Sequence, residues 1–262
     1  MLSRFIGNTV AGATAADPHD VWKRLSAAGF DEFVRSVDAG GLGLGPLEFC
    51  LVFEELGARL CDPHHVRGAL LAAGLRDDGR PGEASEVFRT PQPATEPGTP
   101  LPVLVPSPGF ELGTSTDEVA RAFDRDRLMV AAYLAGVARR ALGLARARGA
   151  DRLLGGRPLL ERQSVAHNVA RAAVTAETAR LEVWEAADRG EAYLVLTALA
   201  SALEAAVANA HLAVQLHGAA GTSCPQVIDV YGTAYAAAAT WGPPSSLWRE
   251  AARRRYPEEG TA

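Results

Sequence analysis

A long alanine-rich helical pattern ends in the run Gln215-Leu216-His217-Gly218-Ala219-Ala220-Gly221. Gly218 and Gly221 carry no Cβ, so the backbone beside Gln215 can approach a phosphate or an adenine edge closely. The same run also reads as a helix C-terminus closed by glycine. Arg152 is the second residue with usable chemistry. A guanidinium can grip a pyrophosphate through two directed hydrogen bonds, and it can equally be a solvated arginine favoured at a helix end by the dipole. No G-x-S-x-G elbow, Walker loop or H-E-x-x-H occurs. His64 and His65 would diverge on a helix, and His211 and His217 do not share a face, so the histidines show no metal spacing.

The elements that must position these residues are mostly helical. Asp17-Pro18 opens a first helix, with Val21, Leu25 and Phe30 on one face and Gly29 as its stop. A Gly40–Gly45 turn follows. Phe49, Val52, Phe53 and Leu56 then predict a helix from about 46 to 60, and Asp62-Pro63 opens a third to about 75. Residues 76–114 differ: seven of the 16 prolines fall between Pro91 and Pro108. Leu101–Val105 reads there as a short edge strand in a long irregular connection. Helices return at about 116–148, 159–189, 191–217, 225–240 and 244–255, punctuated by Gly149, Gly190 and Gly218. The expected architecture is mainly α, with a helical N-terminal part over 1–75 and a C-terminal antiparallel helix bundle over 115–262.

Composition excludes several classes. The 262 residues carry a net charge of −5, and Lys23 is the single lysine, so no basic stripe suggests nucleic acid. Cys50, Cys61 and Cys224 form no CxxC pair, and an odd count argues against a disulfide framework; reduced cytoplasmic thiols are the expectation. The alanine-rich 192–216 run holds Glu204, Asn209 and His211, which fits a buried bundle helix better than a membrane span.

Four segments in order resemble the acyl-CoA dehydrogenase family. They are Trp22–Leu25 with Gly40-Gly41-Leu42-Gly43 and Glu54-Glu55-Leu56-Gly57; Asp126-Arg127-Leu128 with Gly136; Arg152 through Leu159 with Gln163 and His167; and Gln215-Leu216-His217-Gly218 with Gly221. The resemblance covers about 17–75 and 120–255. It implies a helical N-terminal domain, a middle β-domain here reduced to the proline-rich remnant over 76–114, and a C-terminal four-helix bundle. It also implies an oxidoreductase that binds FAD through Arg152, Gln163, Gln215, Gly218 and Gly221, and an oligomer in which the turn reaches a neighbouring subunit's flavin. Ala219, Thr222 and Gly155 depart from the family pattern, standing for a glycine, an aromatic residue and a phenylalanine.

The activity so implied is α,β-dehydrogenation of an acyl thioester carried by coenzyme A or a carrier protein. It needs a base for the α-proton and a flavin for the hydride. Gly242 stands where most members place a glutamate base. Asp126 matches the alternative position on the long helix, and it also reads as a solvated, charge-paired helix start. Two further readings stay open: a flavin-free relative performing a redox-neutral elimination, isomerisation or cyclisation in a biosynthetic pathway, and a non-catalytic partner subunit of a heteromeric dehydrogenase; a homo- or hetero-oligomer with a related subunit is expected.

Overall fold

A computed structural model describes residues 2–10, 20–30, 32, 37–63, 66–68, 70, 88–89, 105–106 and 116–257. The N-terminal helices are α1 (Leu2–Thr9), α2 (Asp20–Ala27) and α3 (Pro46–Arg59). Residues 66–68 and 70 are also helical. The proline-rich region contributes, among the described residues, β1 (Phe88–Arg89) paired antiparallel with β2 (Val105–Pro106). Val105 thus lies in a strand as expected, while 101–104 fall outside the described residues. Then come α4 (Thr116–Asp151), β3 (Leu153–Leu154), β4 (Arg157–Pro158), α5 (Gln163–Arg189), α6 (Ala192–His217), α7 (Pro225–Trp241) and α8 (Pro244–Arg255). The chain is mainly α, with a C-terminal four-helix bundle; among the described residues the β1–β2 pair is all that stands in place of a middle β-domain.

Helix α6 is the axis of the bundle and packs against α4, α5, α7 and α8. It is apolar around most of its circumference, as burial on several sides requires. Much of that surface is alanine: Ala198, Ala202, Ala206, Ala210 and Ala213 are fully buried. Short side chains let helix axes approach closely. α4 and α6 are long and apolar enough to cross a membrane by length and composition, and both serve here as core helices. Asn209, 1% exposed, is the polar residue among those buried on α6. Its amide donates to the carbonyls of Ala138 on α4 (3.2 Å) and Ala172 on α5 (3.0 Å), tying three helices together.

The N-terminal part joins the bundle through α3. A methyl built on Gly57 would overlap the carbonyl of Tyr133, and one built on Gly136 would overlap the carbonyl of Glu54. The two helices therefore touch backbone to backbone at a reciprocal pair of glycines. Arg139 reinforces the contact, reaching Glu54 at 3.1 Å and Glu55 at 2.8 Å, and Arg59 also pairs with Glu55. Burial pushes the Glu54 carboxyl up. Burial acts the same way on Glu55, but hydrogen bonds from Arg139 and Arg59 outweigh it and hold that carboxyl below its ordinary range. α3 ends with Leu60 in the left-handed region (φ 56) and the Cys61 N–H on the Leu56 carbonyl (3.0 Å), a Schellman-type stop.

Three boundaries differ from the sequence expectation. Gly149 does not end α4; it lies inside the helix, where a Cβ would stand 3.0 Å from Leu160 Cγ. Residues 153–158 form a β-hairpin, and consecutive glycines at φ 64 and 78 (Gly155 and Gly156) make its two-residue turn. Leu159–Glu161 is a 3-10 turn, so α5 begins at Gln163.

Gly136→Ala should destabilise the chain by about 3 kcal/mol, because the backbones must part to admit a methyl. A lower urea midpoint would show it. Asn209→Ala should cost about 2 kcal/mol by the same measurement, through the two lost hydrogen bonds. A depressed carboxylate stabilises above its unfolded pKa and loses that contribution as pH falls through the folded one. The stability advantage of the native chain over Glu55→Gln should therefore be full near neutrality. It should begin to fall as pH drops past about 4 and be lost as pH passes through the lowered folded value, measured by denaturant titration across pH.

Candidate functional site

The candidate residues fall at two ends of α4. Arg152 follows its last turn. Its Nη1 donates to the Leu216 carbonyl at 3.0 Å, and its backbone carbonyl accepts from the Leu159 N–H at 2.9 Å. These bonds bring Arg152, the start of α5 and the end of α6 to one end of the bundle. Ala145, Leu159, Val169, Ala213 and Leu216 form the apolar floor beneath them. Gln163 is exposed at the first position of α5.

The 215–221 turn is a 3-10 helix over Gly218–Ser223. Gly218 has φ 63, and a Cβ there would stand 3.0 Å from Arg152 Nη1. Gly221 is buried, and a Cβ there would lie 3.0 Å from His217 Cβ and 3.1 Å from the Val214 carbonyl. Both glycines thus satisfy close packing within the chain itself. Gln215 is exposed with its Nε2 at 3.0 Å from His211 Nε2, and His217 Nδ1 meets the Ala213 carbonyl at 2.8 Å.

The donors at this end suit a diphosphate. One guanidinium nitrogen of Arg152 is committed to Leu216, and the exposed side chain keeps further N–H donors of fixed geometry. Gln163 and Gln215 add amides at the same end. Arg152, Gln163, Gln215 and the 218–221 backbone are the residues that would hold a flavin dinucleotide, and the bound flavin would supply a hydride acceptor.

Asp126 lies far away. Twenty-six residues separate it from Arg152, about 39 Å at the α-helical rise. It sits ten residues into α4, past the first turn, and is 5% exposed. Its Oδ1 lies 2.6 Å from Nε of Arg67, itself 1% exposed. Burial pushes the Asp126 carboxyl up, and the Arg67 guanidinium pulls it back toward ionisation. The residue is charge-paired, as one reading of the sequence held, but it is enclosed where that reading expected solvent. Gly242 ends α7 at φ 80 and ψ 179, a conformation open essentially to glycine alone. The space beside it is free, with Ser246 Oγ as the neighbour at 3.7 Å. Conformation, not room, keeps a side chain from this position.

Sequence reasoning missed Arg67, Arg139 and Asn209. The arginines are inconspicuous in an arginine-rich chain. A polar residue inside the most apolar helical run was the available signal for Asn209. The thiols offer no nucleophile at Cys50 or Cys61: burial pushes Cys50 far up and Cys61 up to about 11. Among the described residues no cluster of His, Cys, Asp and Glu could hold a metal ion.

The sequence profile of the acyl-CoA dehydrogenase C-terminal domain matches residues 117–261. No curated protein matches the chain. Several solved structures share its fold. The ChsE4-ChsE5 complex from Mycobacterium tuberculosis superposes with a TM-score of 0.75 at 20% identity, covering 100% of this chain and 97% of that one. A glutaryl-coenzyme A dehydrogenase bound to glutaryl-CoA gives 0.74 at 17% identity, covering 97% and 94%. An electron transferring flavoprotein structure from Acidaminococcus fermentans gives 0.78 at 16% identity, covering 98% and 97%. The matched profile spans more than half of the sequence, and the chain belongs to the acyl-CoA dehydrogenase family.

Proposed function

We propose that this chain is a partner subunit of a heteromeric dehydrogenase acting at the α,β-carbons of an acyl thioester. It contributes Arg152, Gln163 and the 215–221 turn to a flavin site that a longer family member completes, and the longer chain carries the base. The observation behind this reading is that neither candidate base position offers an accessible, unpaired carboxylate. Asp126 is buried against Arg67, and the Gly242 backbone excludes a side chain. A substrate's α-proton must come within hydrogen-bond reach of its base, and an enclosed, arginine-paired aspartate does not provide that.

The shared fold with a two-protein complex, ChsE4-ChsE5, adds support. Within the assembly, Arg152 would anchor the diphosphate while its bond to Leu216 keeps the turn in place.

The test uses the purified chain alone and co-expressed with a full-length family member from the same organism. Acyl-CoA-dependent reduction of an artificial electron acceptor is followed, together with visible flavin absorbance. The chain alone should show no turnover, and the pair should turn over with bound flavin. Arg152→Ala in this chain should lower flavin retention and turnover of the pair by about 100-fold, on the scale of a lost charge-assisted bond pair. Turnover by the chain alone that disappears in Asp126→Asn would overturn the proposal.

A further inference from the structure

The end of the bundle that holds Arg152 is electropositive in a chain whose net charge is −5. Residues 146–162 hold five arginines and two carboxylates. One of those carboxylates, Glu161, is tied to Arg157 at 2.9 Å. The other, Asp151, is exposed and enters no ion pair among the described residues. The elements beside them supply no counter-charge. From 205 to 228 the end of α6, the turn and the start of α7 contain no acidic residue. Asp229 follows, and burial alone acts on its carboxyl, pushing it up, so no guanidinium stands against it.

Arg148 is the unexplained member of this group. It lies one helical turn before Arg152, whose N–H donates to the Arg148 carbonyl at 2.9 Å, so the two side chains share a face of α4. Arg148 is half-buried, and its Nε is enclosed without a hydrogen-bond partner among the described residues. The dipole of α4 favours cations in its last turn, which accounts for two arginines there but gives that N–H nothing to bond to. An enclosed donor left unbonded is destabilising, and more so on a cation. Arg152 has the converse limitation: one of its nitrogens is committed to the Leu216 carbonyl.

We infer that Arg148 and Arg152 form a two-guanidinium clamp for a diphosphate, with Arg148 as its inner member. A diphosphate carries charge on each phosphoryl group, and two planar donor sets one turn apart match both groups where one arginine serves only one. The Nε–H of Arg148 then gains the acceptor it lacks. Arg152 grips the outer phosphoryl group and keeps the 218–223 turn in place. Arg148 lies outside the segments that carry the family resemblance, so this half of the clamp belongs to the chain's own sequence. The inference rests on the flavin-site reading for the identity of the ligand, a flavin dinucleotide. For the site itself it stands on the local charge and the enclosed donor.

The experiment is isothermal titration calorimetry of the full chain with inorganic pyrophosphate, for the native protein, Arg148→Gln, Arg148→Lys and Arg146→Gln. It is run at about 0.15 M salt, where exposed charges are screened within about 8 Å. Arg146 is exposed on the other side of α4 and controls for general charge. Arg148→Gln should weaken pyrophosphate binding by about tenfold or more, the scale of a charge-assisted hydrogen bond. Arg148→Lys should recover part of the loss, since it restores the charge without the fork. Arg146→Gln should change binding by less than about twofold. Thermal melting separates binding from folding. Without anion Arg148→Gln should melt no lower than native, and pyrophosphate should raise the native midpoint more than the variant's. FAD should displace pyrophosphate, and riboflavin, which has no phosphate, should not. Absence of pyrophosphate binding by the native chain would overturn the clamp, as would equal binding by Arg148→Gln or an equal effect of Arg146→Gln. A lower melting midpoint for Arg148→Gln without anion would mark Arg148 as structural and overturn it too. Displacement by coenzyme A in preference to FAD would overturn the flavin assignment and give the clamp to the acyl carrier. The partner-subunit reading fails separately: a chain that clamps pyrophosphate but supports no turnover with a longer family member sinks that reading and leaves the clamp.

Discussion

The contact between Gly57 and Gly136 governs how the molecule is assembled. Two helices that touch through their backbones have no side chains between them to compress or rotate, so their relative position has little freedom. α3 enters the bundle at this point. Glu54, Glu55 and Arg139 surround it and give the close approach a direction, because a charged pair in partly buried surroundings fixes which residues face each other. The remaining N-terminal contacts inherit this placement. α1 lies on α3, with Gly7 against the Arg59 guanidinium that also pairs with Glu55.

The bundle itself is organised by α6. An alanine-rich core gains less burial energy per residue than one of leucine and phenylalanine, since each alanine buries one methyl group. It compensates by proximity: axes come close and backbone atoms gain dispersion contacts. The large aliphatic and aromatic residues sit where α3 and α4 meet, with Phe53, Leu56, Leu134 and Val137 fully buried. The molecule therefore has two kinds of interior. One is a bulky junction that sets the N-terminal part on the bundle, and the other is a slender alanine core that brings Arg152 and the 218–223 turn together.

Most of the helical framework was legible in the sequence, because period, glycine stops or proline starts mark α3, α6, α7, α8 and the C-terminal end of α5. What was hidden depended on residues distant in the chain. Gly149 reads locally as a stop, yet its neighbour Leu160 explains it as a packing glycine inside α4. Gly155 reads as a missing phenylalanine and serves as half of a hairpin turn. The 215–221 run was recognisable as a glycine-closed helix end. Its contact with Arg152 joins residues 64 positions apart and follows from the tertiary arrangement alone. Asp126 shows the same limit from the other direction. Its neighbours Asp124, Arg125 and Arg127 suggest a solvated charge cluster, whereas its partner Arg67 comes from the N-terminal part.

Asn209 carries one further consequence. Methyl groups in an alanine core are nearly interchangeable, so neighbouring helices could slip along one another at small energetic expense. The amide of Asn209 meets carbonyls on both α4 and α5, and only one sliding position satisfies both. A slip of a single turn would carry the Leu216 carbonyl about 5.4 Å from Arg152, beyond hydrogen-bonding reach. A buried carboxamide seven residues upstream thus acts as the ruler by which the far end of the bundle is measured.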